Sequence, residues 1–231
     1  MPVSLLPETE TFDPEENLRR EALYLSSTTA PSGRVWRNSE CVVLGRFLRA
    51  EEEVHVERAS ADGVPVLKRT SGGGAVFHDL GNINYSIYLP SSEYAGFGIE
   101  ESQRLLSYPV IGVLEHLMLP WKWVPPNNIY VDGRKVSGSA QARSQGRILH
   151  HGTLLVCCDL EKMAYLLKRG GRSRIAEVAN LGEFAPGLGL GDVEGLMRDS
   201  LVRGWNPVCH EAVQELFSPA SPLLARPLRP G

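Results

Sequence analysis

The sequence predicts an α/β fold of mixed sheets, a larger sheet bearing a glycine-rich loop and a smaller one nearby, with helices packed outside. Three observations carry that expectation. Helix-period and strand-period segments are interleaved along the chain. Residues 84–89 alternate as a strand directly after the glycine-rich stretch, and Asp132-Gly133 joins two short runs as a hairpin. At 231 residues the chain fits one large domain or two small ones, long enough to bury a proper core.

The first helix is announced by Asp13 and Pro14. Asp13 can cap the free amides, Pro14 suits the first helical position, and Glu16 stands where a capping box would place it. Leu18, Ala22 and Leu25 repeat at helical spacing with Arg19, Arg20 and Glu21 around them, so this helix reads as structural. Residues 34–36 and 41–44 read as short strands about a turn at Asn38, and Gly45 ends the second. Residues 51–61 are expected as a helix on the sheet edge, and residues 64–67 as a strand delivering Lys68 and Arg69 to the glycines. The strand at 84–89 stops at Pro90, and residues 91–98 form a loop. Over 99–119, Leu105, Leu106, Ile111, Leu114, Leu117 and Met118 share a helical face, which Pro109 kinks or starts. Residues 129–131 and 135–136 flank the Asp132-Gly133 turn, and a third strand covers 148–156. Two short helices follow, at 192–202 and 208–217, before a proline-rich tail.

The stretch KRTSGGGAVFHDLGNINYS, residues 68–86, holds the densest chemistry. Gly72, Gly73 and Gly74 permit positive backbone angles and close approach of a ligand, and Lys68 and Arg69 precede them. Such a loop can hold an anion on its amides and cations, although the glycines alone equally fit a hairpin corner. Ala75, Val76 and Phe77 follow at once, so the loop leads into a strand and lacks both the GxxxxGK[ST] and the GxGxxG spacing. Further on, Ser137, Gly138, Ser139 and Ala140 are small enough for a ligand to pass close to the chain. Alone, Lys135 reads as a solvated lysine and the pair His150-His151 as packing residues, with no metal quartet around them.

Bulk properties exclude several classes. With 42% apolar and 22% charged residues and a net charge of −3, the composition is that of an ordinary soluble protein and gives no support to nucleic-acid binding. Cys41, Cys157, Cys158 and Cys209 lack zinc spacing and are expected to pack in the core of a reduced, cytoplasmic protein. No signal-like start and no uncharged span of membrane length is present, so secretion and membrane insertion are not expected.

Residues 68–86 and the segments GRKVSGSAQ and HHGTLL, with DPEENL near the start and WRN before VVLGR, resemble the lipoate-protein ligase family. That family shares a superfamily with biotin ligases and octanoyltransferases. The likeness runs in the family's order over most of residues 13–190. It implies a biotin/lipoate ligase-like two-sheet catalytic domain over residues 1–217, and the proline-rich composition of 218–231 reads as a disordered tail. It further implies that Arg69 contacts nucleotide phosphate, that Gly74, Ala75, Val76 and Phe77 supply nucleotide-contacting backbone, and that Ser71, Gly72 and Gly73 line the same pocket. Lys135 matches the central lysine that contacts both the acyl carboxylate and the α-phosphate. His78, Gly138, Ser139, Ala140, His151, Gly152 and Thr153 fall at substrate-binding positions. Residues 171–181 resemble a segment that covers the adenylate, with Arg174 and Asn180 as contacts.

The implied reaction joins lipoate to ATP, with magnesium offsetting pyrophosphate charge, and passes the lipoyl group from lipoyl-AMP to a carrier lysine. The carrier would be the lipoyl domain of a 2-oxoacid dehydrogenase acyltransferase or a glycine cleavage H-like protein. A fixed ammonium at Lys135 suits this chemistry, since two anions must meet while charge grows on phosphate. Alternation places Val76, Tyr85 and Ile148 along an apolar tunnel for the acyl chain. Two departures from the family pattern stand out. Leu48 and Arg49 replace a usual Gln-Asn pair, and Asn127-Asn128 replaces Asn-Asp. The chain also ends soon after the catalytic domain, where many ligases of the family carry an accessory domain needed for adenylation. A separate accessory protein, an ATP-independent octanoyl transferase using a cysteine thioester, and a non-catalytic binding subunit are therefore the competing readings. The transferase reading lacks a cysteine between Trp121 and Asn128, where that branch keeps it.

Overall fold

A computed structural model describes residues 3–7, 9–94, 97–168 and 177–204. The helix expected at 208–217, the tail and Arg174 lie outside the described residues. Ten strands form two sheets among the described residues. The strands are β1 (Ser4–Leu5), β2 (Ser32–Trp36), β3 (Cys41–Leu44), β4 (Val66–Lys68), β5 (Val76–His78), β6 (Asn82–Pro90), β7 (Trp121–Val124), β8 (Asn128–Val131), β9 (Arg134–Ser144) and β10 (Arg147–Leu155). The large sheet runs β1-β2-β6-β10-β9-β8-β7 and the small one β4-β3-β5. Both are mixed, with parallel pairs at β1-β2 and β3-β4.

The glycine loop belongs to the small sheet, which corrects the expectation of a place on the large one. β4 runs parallel to β3 and β5 antiparallel to it, so the connecting residues must arch across the end of β3. Gly45 sits under that arch, where any Cβ would run into the Gly73 carbonyl. β2 and β3, expected to flank one turn, part into different sheets at Asn38. β7 has no counterpart among the expected strands.

The helices are α1 (Pro14–Ser27), α2 (Ala50–Glu53), α3 (Val56–Ala61), α4 (Ile99–Leu106), α5 (Tyr108–His116), α6 (Leu160–Leu166) and α7 (Leu190–Arg203). Asp13 caps α1 as expected, accepting from the amides of Glu15 at 2.9 Å and Glu16 at 3.3 Å. Glu16 turns instead to Arg19 and Arg20, both at 2.7 Å. The buried face of α1 is Pro14, Asn17, Glu21 and Leu25, so two polar side chains sit where an apolar stripe was expected. The expected helix at 51–61 is two short ones, and that at 99–119 breaks at Ser107, with Pro109 in the first turn of α5. Met118 lies past α5 and is 89% exposed, not on the packed face.

β6 is covered on both faces, and its period of two sorts the residues. Ile83, Tyr85, Ile87 and Leu89 enter the main core with Ile148 and Leu154 of β10 and with α4, α5 and α7. Asn84, Ser86 and Tyr88 point to the opposite side, where Tyr88 packs on Leu25 of α1 and Leu149. A second core unites the small sheet with α2, α3 and α6 around Phe77, Val54 and Leu166. Cys41 and Cys158 are buried, but Cys157, expected in the core, is exposed. No described helix is long and apolar enough to cross a membrane.

Candidate active site between the sheets

A cavity of about 360 Å³ lies between the glycine loop and the face of the large sheet opposite the main core. Strand pairing explains its floor. Thr153 of β10 stands between Asn84 of β6 and Gly138 of β9, and His151 between Ser86 and Ala140, so these residues share one face. Lys135 should by simple alternation lie on the other face from Gly138. A bulge restores it: Ile129 pairs with Ser137, but Tyr130 pairs with Lys135, leaving Val136 as the extra residue and shifting the parity by one. The Lys135 backbone is also tied to the chain beyond, its amide donating to Glu177 at 2.8 Å and its carbonyl accepting from Ala179 at 3.0 Å.

The Lys135 ammonium lies over Gly138, where a Cβ would come within 2.9 Å of Nζ. Among the described residues no carboxylate pairs with it. Burial alone pulls its pKa down to about 8, so the charge is held in place without a counter-ion. Asn127 secures the neighbouring strand, its side chain donating to the Ser139 carbonyl and its own carbonyl accepting from the Ser139 amide at 2.9 Å.

The loop is braced from within by Arg69. Its guanidinium donates to the carbonyls of Val43 at 3.1 Å, Gly72 at 2.7 Å and Gly74 at 2.8 Å, and to Ser71 Oγ at 2.9 Å. Burial lowers its pKa to about 10, with Glu21 working the other way, so it stays charged near neutrality. Those carbonyls turn inward, and the amides of Gly72, Gly73 and Gly74 have no hydrogen-bond partner among the described residues. Gly73 adopts φ +90°, open to glycine at little cost.

On the α1 side, Glu21 Oε1 accepts from Ser86 Oγ at 2.7 Å and pairs with His151 Nδ1 at 2.8 Å. Burial pushes the Glu21 carboxyl up, but His151, Ser86 and Arg34 outweigh it and hold it below the ordinary range. His78 stays neutral, its pKa lowered to about 3 by burial and by Arg69. Asn38 Nδ2 donates to its Nδ1 at 3.2 Å, which puts the proton on Nε2, a buried atom with no hydrogen-bond partner among the described residues.

Of the residues singled out in the sequence, Arg69, Gly73, Gly74, Ala75, Val76, His78, Lys135, Gly138, Ser139, Ala140, His151, Gly152 and Thr153 line this one cavity. Ser71 and Gly72 lie behind it, bonded to Arg69, and Phe77 alternates into the small-sheet core. Asn180 lies elsewhere: its side chain bridges the amide and carbonyl of Cys158, both at 2.8 Å. Tyr85 and Ile148, expected along an acyl tunnel, face the main core instead. Glu21, Trp36 and Asn84 line the cavity unforeseen. For Glu21 the available signal was its spacing from Pro14, Asn17 and Leu25, which repeats every three to four residues.

Comparison with known proteins agrees with this architecture. A lipoate-protein ligase A from Psychrobacter cryohalolentis is 38% identical over 161 residues, covering 65% of this chain and 44% of the relative. The chain spans about half the length of the curated relatives it matches. The structure of a bipartite lipoate protein ligase from Thermoplasma acidophilum, described with its E2 lipoyl domain, superposes with a TM-score of 0.76 at 29% identity, covering 91% of this chain and 84% of that one. A lipoate-protein ligase A bound with ATP gives 0.75 at 29% identity, over 91% of this chain and 86% of that one. The model of the lipoyl protein ligase A/B catalytic domain matches residues 13–201, and the chain belongs to that family.

Proposed function

We propose that this chain activates lipoate with ATP to lipoyl-AMP and transfers the lipoyl group to a lysine of a lipoyl-domain carrier. The carrying observation is the Lys135 ammonium, which has no carboxylate partner among the described residues, in the same cavity as a glycine loop whose Gly72 and Gly74 carbonyls are held inward by Arg69 and whose Gly72, Gly73 and Gly74 amides have no partner among the described residues. The amides and Arg69 would receive the nucleotide phosphates, while Lys135 would draw the lipoate carboxylate and the α-phosphate together. The lipoyl chain would run over the floor formed by Ala140, His151 and Thr153. As charge builds on the phosphate, a cation fixed in a poorly solvated cavity lowers its energy more than one in water would. The carrier amine then attacks the mixed anhydride and AMP leaves, with no protein nucleophile.

The free thiols support this over thioester transfer. Burial pushes Cys41 up to about 12 and Cys158 higher, and none of the described cysteines lines the cavity. They also fit a reducing, cytoplasmic setting. Among the described residues no group of three or more His, Cys, Asp or Glu side chains is placed to hold a metal, so magnesium would arrive on the nucleotide's phosphates rather than in a protein cage. A second reading, adenylation assisted by a separate accessory protein, is favoured by the likeness to a lipoate protein ligase described as bipartite.

The test supplies purified protein with lipoate, magnesium ATP and an apo lipoyl domain, and in parallel with preformed lipoyl-AMP. Lipoylation in both arms supports the self-sufficient ligase, and modification only from lipoyl-AMP supports the assisted one. Octanoyl transfer from a carrier protein without ATP overturns both.

A further inference from the structure

We propose that His151 is a positioning residue: it ties the nucleotide-holding loop of the small sheet to the floor of the large one through one directed chain of buried hydrogen bonds. The direction follows from chemistry. Arg69 and Trp36 can only donate, and the Glu21 carboxylate can only accept. Arg69 Nε donates to Ser71 Oγ at 2.9 Å, so the Ser71 proton goes to another acceptor. His151 Nε2 is 2.6 Å away and the Gly72 carbonyl 3.4 Å, so the imidazole takes it. Nδ1 of His151 then carries the ring proton and donates to Glu21 Oε1 at 2.8 Å. From the other end, Trp36 Nε1 donates to Ser86 Oγ at 2.9 Å, and Ser86 donates to the same Glu21 oxygen at 2.7 Å.

All members of the chain are buried, from Ser86 at 0% and Ser71 and Glu21 at 1% to Arg69 and His151 at 8% exposure. In such surroundings each bond is worth more and an orphaned member costs more. The order Ser71, His151, Glu21 is that of a hydrolase triad, yet Ser71 does not line the cavity and cannot reach a carbonyl there. What Ser71 does reach is Arg69, which holds the carbonyls of Gly72 and Gly74. The aim of the loop amides is therefore set by a chain anchored on α1.

Ser71→Ala cuts that chain without changing a cavity-lining side chain. His151→Asn keeps a donor towards Glu21 and loses the acceptor towards Ser71, whereas His151→Gln restores an acceptor at the reach of Nε2 and gives up the donor towards Glu21, so it recovers only the loop end of the chain. Amide hydrogen exchange of the ligand-free protein reads the loop directly. Ser71→Ala and His151→Asn should speed exchange over residues 70–76 by about tenfold with β6 and β10 unchanged, and His151→Gln should fall back towards wild type. In the kinetic arm, which rests on the proposed ligase reading, the KM for ATP should rise about tenfold in Ser71→Ala with kcat within about threefold. Unchanged loop exchange in both Ser71→Ala and His151→Asn overturns the proposal. A rise spread equally over β6 and β10 in both also overturns it, because the chain would then hold the whole domain. If wild type shows no ligase activity while loop exchange behaves as expected, the ligase reading fails and the positioning role stands.

Discussion

His150 and His151 are neighbours in sequence and opposites in the fold. His150 points into the main core, where Nε2 meets the Tyr85 hydroxyl at 3.0 Å and Nδ1 the Gln141 amide at 3.3 Å, and burial drives its pKa well below the ordinary value. His151 points into the cavity, between Ser71 and a Glu21 carboxylate held ionised. A strand's period of two puts identical side chains in opposite chemistries, one fixing packing and the other fixing a site. The same contrast separates the two walls of the cavity. The glycine loop is held by side-chain hydrogen bonds, whereas Lys135 is placed by backbone register and carries a bare charge.

The largest effect is expected where the bare charge is removed. Lys135→Ala should lower lipoyl-AMP formation by about a thousandfold or more, measured in single turnover. On the other wall, Gly45→Ala forces the loop off β3, because its Cβ meets the Gly73 carbonyl. A loss of about tenfold to a hundredfold in ATP affinity is expected by calorimetry, with lipoate affinity nearly intact. The pair of histidines should separate cleanly as well. His150→Ala takes one buried hydrogen-bond partner from the Tyr85 hydroxyl and should cost about 1–3 kcal/mol in denaturant unfolding, with turnover per folded molecule retained.

The lowered pKa of Lys135 yields two smaller effects of definite sign. Adenylate formation should be level below about pH 8 and decline above it as the ammonium is lost in the free enzyme. The folded state binds this proton less tightly than the unfolded chain, whose lysine titrates near 10.4, so this residue destabilises most below pH 8 and is relieved as pH rises through that window. Lys135→Met should therefore raise stability at pH 7 by about 1–3 kcal/mol, and the gain should shrink towards pH 10.5.

Most element positions were legible in the sequence because they rest on local signals: the Asp13 cap, the Asp132-Gly133 turn and the alternation of β6 and β10. Sheet membership was not, since β2 and β3 both read as short strands and only their pairing partners separate them. β7 was missed because WKWV is a short run closed in by Pro120 and Pro125, and prolines argue against a strand. The cavity's basic and glycine residues were legible from the motifs they form. Glu21 was hidden because its partner His151 is 130 residues away, and a buried carboxylate looks like a solvated one until that partner is known. The bulge at Val136 was equally invisible, as it exists only in the pairing of β8 with β9.

The central claim is that the braced loop and Lys135 hold one acyl-adenylate between them. Titrating a non-hydrolysable lipoyl-adenylate analogue by calorimetry into wild type, Lys135→Met and Ser71→Ala tests it without any accessory protein or carrier. Tight binding by wild type, weakened at least tenfold in each variant, is the predicted result. Equal affinity in all three proteins would contradict the account.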